Sequence, residues 1–283
     1  MVFAMLTWGV AWTSAKIINA YLDYNNLVFL RFLVGVVSMF PFIINKKLSI
    51  RDSSISTKLN ILVVGILFYL YNQCFFIATD KGYAGMGAVF VTTTNPIITF
   101  VIVSIIKRKV NYNDLFAIFI GIVGGCIILD IFSLGLDALL ISGNIYFIFC
   151  SLIWGFMTVL MSRGQVDLDS IVYIIYTYSI ASIIAFYFID IPSLLNAQIF
   201  NFNFLIHFII VCSAMSIGTS IYIIASARMG PVKSSTFIFS VPFIAMLTAH
   251  IILDEYLGVN IFIGGLMSIL AIILINKKNN NLF

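Results

Sequence analysis

Ten apolar runs, each long enough to cross a bilayer, follow one another along this 283-residue chain. A helix needs about 20 predominantly apolar residues to span roughly 30 Å of hydrocarbon. Charges and turn residues divide the chain into such runs at 2–20, 27–44, 59–79, 84–106, 115–132, 139–162, 171–189, 204–227, 232–253 and 259–275. The remainder suffices for short connections and two tails, with no stretch for an extramembrane domain. Charged residues make up 9% of the chain, against roughly 25% in an ordinary soluble domain. A water-soluble fold of this size could not cover its surface with so few. The sequence therefore predicts an all-α membrane protein of ten transmembrane helices. A β-barrel is excluded, because its strands would alternate apolar and polar residues over about ten positions. The first run is not a removable signal peptide, since further runs follow it and no small-residue cleavage site ends it. A secreted disulfide scaffold, a nucleic-acid binder and a cytosolic enzyme are excluded by the same composition.

The charges set an orientation. An even number of spans puts both termini on one side, and basic residues mark the cytoplasmic side. With both termini there, that side collects Lys46, Lys47, Arg51, Lys58, Lys107, Arg108, Lys109, Arg163, Arg228, Lys233, Lys277 and Lys278, which is 12 of 15 cations. Only Lys16, Arg31 and Lys81 fall in the other half, where Asp23, Asp80, Asp130, Asp137, Asp190, Asp254 and Glu255 lie. The net charge of +4 is thus a topology signal for a multi-pass protein of the cell (inner or plasma) membrane, and says nothing of nucleic acid. Cys74, Cys126, Cys150 and Cys212 all fall inside spans, without a CxxC, and read as small buried hydrophobes.

An internal repeat runs through the spans. Trp8-Gly9 recurs as Trp154-Gly155 and Pro96 as Pro242, both at an offset of 146. Leu6 to Gly9 resembles Leu152 to Gly155, FFIATDKG at 75–82 resembles YIIASARMG at 222–230, and Gly121, Gly124 and Gly125 fall near Gly264 and Gly265 with a short slip. The chain divides into residues 1–134 (spans 1–5) and 135–283 (spans 6–10). Five is odd, so the second copy enters the membrane in the opposite sense. Inverted repeats of this kind belong to secondary transporters. Trp154 has about fifteen span residues before it and Trp8 only seven, so the native chain is expected to begin several residues upstream of Met1.

These residues resemble the EamA family of the drug/metabolite transporter superfamily over nearly the whole chain. The resemblance rests on Trp8-Gly9 with Lys16, Arg31-Phe32, the 78–85 turn leading to Asn95-Pro96, Trp154-Gly155, Pro242, and Asp254-Glu255 ahead of Gly264. Lys107-Arg108-Lys109 departs from it, standing where many members carry a glutamate like Glu255. The resemblance implies two inverted five-helix halves around a central cavity lined mainly by spans 1, 3, 4, 6, 8 and 9. It also implies transport, often export, of amino acids or other small metabolites.

Polar and aromatic residues inside the spans are the candidates for a site. Met5, Trp8, Trp12, Lys16 and Asn19 share one face of span 1. Trp12 is too deep for an interfacial belt and either packs in the bundle or lines a cavity. Lys16 either snorkels to the interface or attracts a carboxylate, and Arg31 either joins it in that or pairs with Asp23. Tyr69, Asn72 and Gln73 in span 3, with Thr219 and Tyr222 in span 8, serve either helix–helix hydrogen bonding or substrate recognition. The substrate-binding surface is expected at Trp8, Trp12, Lys16, Tyr69, Asn72, Gln73, Asn95, Trp154, Thr219 and Tyr222, and Gln73→Ala is expected to lower transport. Pro96, after Thr92, Thr93, Thr94 and Asn95, and Pro242, after Ser240, are expected hinges, with the freed carbonyls met by nearby hydroxyls. Gly121-xxx-Gly125 and Gly264-xxx-Ser268 are small-residue faces that serve either the internal bundle or a homodimer. His207 and His250 read as structural.

No aspartate or glutamate lies at mid-membrane depth, which predicts transport without an acidic relay. Neither HExxH, GxSxG nor a Walker loop occurs, so no enzyme, catalytic residue, metal or cofactor is expected. The sequence points to a transporter of small amphipathic, amino-acid-like metabolites, exporting by alternating access, with membrane lipids and the substrate as its partners. The alternative is a non-transporting membrane scaffold or lipid scramblase.

Overall fold

The structure, a computed structural model, describes residues 1–43, 50–108, 112–135, 137, 143–195, 201–256 and 258–278. Lys46, Lys47, Lys109 and the first residues of the sixth apolar run (139–142) lie outside the described residues. All regular secondary structure among the described residues is helical. One helical element corresponds to each apolar run: α1 (Val2–Asn19), α2 (Tyr24–Met39), α3 (Ile55–Lys81), α4 (Ala84–Lys107), α5 (Tyr112–Ile128), α6 (Asn144–Arg163), α7 (Ser170–Tyr187), α8 (Phe202–Met229), α9 (Pro231–Leu253) and α10 (Val259–Lys278). Seven of these are long and apolar enough to cross a bilayer, α2 being extended to Phe42 by a 3₁₀ turn. The other three differ for visible reasons. α1 is diluted by Thr13, Ser14, Lys16 and Asn19, while α5 and α10 offer shorter apolar stretches, Leu115–Ile128 and Val259–Ala271.

Polar residues outside the runs start the helices. The Asp23 carboxylate accepts from the Asn25 and Asn26 amides, and Ser54, Asp169 and Asn201 cap α3, α7 and α8 in the same way. α4 has no such cap at Tyr83. Outward faces carry large apolar side chains at helical spacing, among them Leu62, Ile66 and Leu70 on α3 and Phe243, Leu247 and Ile251 on α9. In water such faces would drive aggregation, whereas lipid matches them.

The closest helix pairings join the first five helices to the last five: α5 with α10, α4 with α6 and α9, α3 with α6 and α7, α2 with α7, and α1 with α8 and α9. The two repeats interleave and do not form separate lobes. Their contacts are also reciprocal. A Cβ built on Gly9 would lie 2.5 Å from Ile244 Cβ, and one on Gly155 would lie 2.5 Å from Ile98 Cγ2. Ile98 and Ile244 are themselves 146 apart, so one close crossing occurs twice. Arg108 and Asp254, at the same offset, end α4 and α9 in the same left-handed conformation, both with φ 52°. The small-residue faces of α5 and α10 meet each other within the chain, where a Cβ on Gly124 or Gly264 would strike the other's carbonyl oxygen. A homodimer through those faces would require the two helices to part.

Two helices depart from regularity. α8 contains a π-helical turn at Ala214–Thr219, and α9 passes through a 3₁₀ segment at Phe237–Ser240. Pro242 therefore sits in the first turn of an α-helical stretch, where a missing N–H costs little, whereas Pro96 lies inside the continuous α4. The expected pair of matching kinks is one interior proline and one broken helix. The hydroxyls of Thr92, Thr93 and Thr94 bond back to the carbonyls of Ala88, Val89 and Phe90, one turn before the carbonyl that Pro96 frees.

Candidate functional site

Trp8 and Trp12 stand one turn apart on α1, on the face turned to the second repeat. Trp8 meets Trp154 edge to face at 5.0 Å between centroids, and both rings lie against Tyr222, at 5.1 and 5.7 Å. The Trp8 indole donates to the Ala214 carbonyl at 3.2 Å, within the π-turn. That turn's Gly218 admits the contact, because a Cβ there would lie 2.9 Å from Trp8 Nε1. The Thr219 hydroxyl donates to the same carbonyl. Sequence periodicity gave no sign of the π-turn.

These residues enclose a cavity lined by Trp8, Trp12, Asn72, Asn95, Trp154 and Thr219, all six expected at the site, and by Arg31, Tyr71, Phe75, Thr92 and Met215. The space open to the centres of water molecules is about 40 Å³. That holds a few waters and is smaller than a metabolite. Tyr222 supports the two tryptophans from behind, its hydroxyl 3.1 Å from that of Thr158.

Three expected site residues lie elsewhere. Successive helix residues turn by about 100°, so Tyr71 and Asn72 face the cavity while Tyr69 and Gln73 do not. Gln73 donates to the Asn25 side chain at 3.0 Å, and Tyr69 stacks on Phe188 at 5.8 Å. Lys16 lies off this cavity. Its ammonium donates to the Gly82 carbonyl and lies 3.6 Å from Glu255 Oε1. Glu255 is buried, and its two carboxylate oxygens accept the Ala84 and Gly85 amides at 2.8 Å each. This acid supplies the cap that α4 lacks locally, and the positive end of the helix dipole favours it there. The resulting clasp joins α1, α4 and the α9–α10 connection about 6 Å of helix rise beyond Trp12. It floors a vestibule of about 660 Å³ lined by Lys16, Tyr83, Asp130, Asn144 and Glu255.

Of the two roles open to Arg31, the structure does not make the pairing with Asp23, whose carboxylate is engaged in capping α2. Arg31 instead lies 94% buried against the cavity, since its relative exposure is 6%. Its Nη1 donates to Asn72 Oδ1 at 2.7 Å, and its guanidinium lies over Phe75 and Phe76 at 5.3 and 5.7 Å. The Asn72 amide is held in place by its own donation to the Phe68 carbonyl. Among the described residues Arg31 makes no ion pair, and its Nε has no hydrogen-bond partner. Asn95 Oδ1 is likewise buried without a partner.

Other polar groups are accounted for locally. His207 meets the Ser14 hydroxyl, His250 meets the Glu255 carbonyl, and the four cysteines are free thiols within helices. No cluster of three or more His, Cys, Asp or Glu side chains able to hold a metal occurs among the described residues.

Interleaved apolar helices around a small polar centre define a multi-pass membrane protein. The sequence profile of the EamA-like transporter family matches residues 1–130 and again 141–277. The chain belongs to that family, which lies within the drug/metabolite transporter superfamily and carries small molecules across membranes. No curated protein matches the sequence significantly. A solved structure described only as the crystal structure of a protein superposes with a TM-score of 0.63, covering 97% of this chain and 95% of that one. At 13% identity it shows the shared fold alone.

Proposed function

We propose that the chain is a ten-span secondary transporter of the cell (inner or plasma) membrane that exports small amphipathic, amino-acid-like metabolites by alternating access. Both termini lie in the cytoplasm, on the side that collects 12 of its 15 cations. The observation that carries this reading is the central cavity. It is walled by tryptophans at equivalent places in the two repeats and lined by polar groups from α2, α3, α4 and α8. Reciprocal crossings such as Gly9–Ile244 and Gly155–Ile98 support two copies related by an axis in the membrane plane.

The cavity is too small for cargo, so the cycle must widen it first toward one side and then the other. The Lys16–Glu255 clasp closes the outer side here. Because the repeats interleave, bending falls on the interior Pro96 and on the irregular turns of α8 and α9, between which Pro242 lies. No carboxylate lines the cavity among the described residues, which favours exchange or facilitated movement without an acidic relay. The chain acts without catalysis.

Thermal-shift screening of purified protein against a metabolite library, followed by counterflow of stabilising compounds in proteoliposomes, tests this. Stabilising compounds that exchange across the membrane are the expected result. Compounds that bind but never cross would overturn it and favour a scaffold; flipping of labelled lipid would favour a scramblase.

A further inference from the structure

An arginine buried at membrane depth is expensive unless its charge is answered. Arg31 sits about 10 Å along α2 from its start, 94% buried, with one amide oxygen accepting from it and two ring faces against its guanidinium among the described residues. Ring faces attract a cation only weakly beside a carboxylate. A guanidinium presents five N–H donors in a fork that fits a carboxylate in two-pronged fashion. Asn72 occupies one prong through Nη1, and Nε is left without a partner. Had an acid of the chain faced Arg31, the cavity would be neutral and indifferent to the charge of its cargo. As built, its lining carries one positive charge and no negative one among the described residues.

From this we infer that Arg31 is the docking point for a carboxylate, and that the transporter selects small organic acids with an apolar body over matched amides and amines. The inference rests on the reading of this cavity as the transport site. A carboxylate would complete the fork, while an ammonium would meet like charge and lose affinity. The aromatic walls, Trp8, Trp12, Tyr71, Phe75 and Trp154, suit the apolar body. Asn95 Oδ1, buried and unpartnered, is placed to accept from a hydroxyl or amino donor on the same molecule.

The chain's three tryptophans all line the cavity, so intrinsic fluorescence of the full chain in nanodiscs reads occupancy directly. Hexanoate and 3-phenylpropionate are titrated against their amides and amines. Roughly tenfold or tighter binding of the acids is expected. Arg31→Gln removes that preference, and Arg31→Lys restores part of it. Asn72→Asp guards against a variant that fails to fold. It changes little in shape and gives Arg31 a resident counter-ion, so it is expected to weaken acid binding roughly tenfold while sparing the amides. Equal binding of the three head groups, tighter binding of the amines, no binding of any at millimolar concentration, or full acid binding in Asn72→Asp each overturns the inference. Passage through proteoliposomes is scored separately. Acids that bind through Arg31 but never cross would sink the transport reading alone; passage indifferent to the head group would sink the Arg31 assignment alone.

Discussion

Trp8 and Trp154 occupy the same place in the two repeats and touch each other, edge to face at 5.0 Å. Equivalent residues of two related units can meet only close to the axis that relates them. The centre of this molecule is therefore an aromatic contact made by one residue with its own counterpart. Gly9 and Gly155 follow these tryptophans directly and create the room beside them.

That closeness makes both glycines sensitive. A methyl group on Gly9 meets Ile244 Cβ, a branch point that cannot swing away. Gly9→Ala and Gly155→Ala are each expected to cost about 1–3 kcal/mol, read as a lower Tm in detergent. Ile244→Ala should rescue the first and Ile98→Ala the second. Unchanged Tm in both alanine variants would refute the close crossing.

The Glu255 clasp should govern access from its own side. Glu255→Ala removes two charge-assisted hydrogen bonds and the Lys16 pairing at once. A cysteine placed at Ala11, in a background freed of native cysteines, should then react roughly tenfold faster with a membrane-impermeant thiol reagent added outside. Equal rates would show that the clasp does not hold the outer side shut.

Asp167 ties the α6–α7 connection to the start of α3, accepting the Thr57 hydroxyl and, at 2.8 Å, the Ser54 amide. These bonds hold its carboxyl below the ordinary value of 3.8, the Thr57 hydroxyl contributing most. A lowered value means that its contribution is complete above the ordinary range and is lost as pH falls through the lower one. Wild type should be more stable than Asp167→Asn by a constant margin from about pH 8 to pH 5, closing only below about pH 4. Melting curves across that range check it; a margin that closes near neutrality would contradict it.

The prolines should behave unequally. Pro96→Ala returns an N–H to the middle of α4 and is expected to raise or preserve Tm while slowing transport several-fold, through a stiffer helix. Pro242→Ala, in a first helical turn, should leave Tm unchanged and the transport rate within about twofold. Equal effects on exchange rate would restore the symmetric-hinge expectation.

Gln73→Ala separates the sequence expectation from the structural one. Gln73 bonds Asn25 and stands off the cavity, so this variant should leave ligand affinity within about twofold, whereas Asn72→Ala should weaken it roughly tenfold. The reverse order would place Gln73 at the site after all.

Among the described residues each apolar run coincides with a long helix, because desolvation of a backbone in lipid leaves a chain few alternatives. The repeat was legible because Trp8, Pro96 and their counterparts kept one offset. Facing was harder to read. Of the expected site residues Trp8, Trp12 and Asn72 line the central cavity, but Gln73 differs from Asn72 by one residue and about 100° of turn, and apolar neighbours on all sides leave no polar stripe to orient α3. Arg31 is visible as a cation in an apolar run, but sequence leaves open whether it meets Asp23 or attracts a carboxylate, and the amide it bonds lies on α3. Lys16 is open in the same way, because its acid, Glu255, comes from the far end of the chain.

Arg108 and Asp254 turn their helices out in the same way, but the residue that follows is Lys109 in one copy and Glu255 in the other. The same helix end recurs in both repeats, with an acid behind one and a base behind the other. On the alternating-access reading such an asymmetry would not drive net flow, which gradients alone set. It would decide which mouth stands open while the carrier waits empty, and with it the concentration of cargo each compartment must reach before traffic begins.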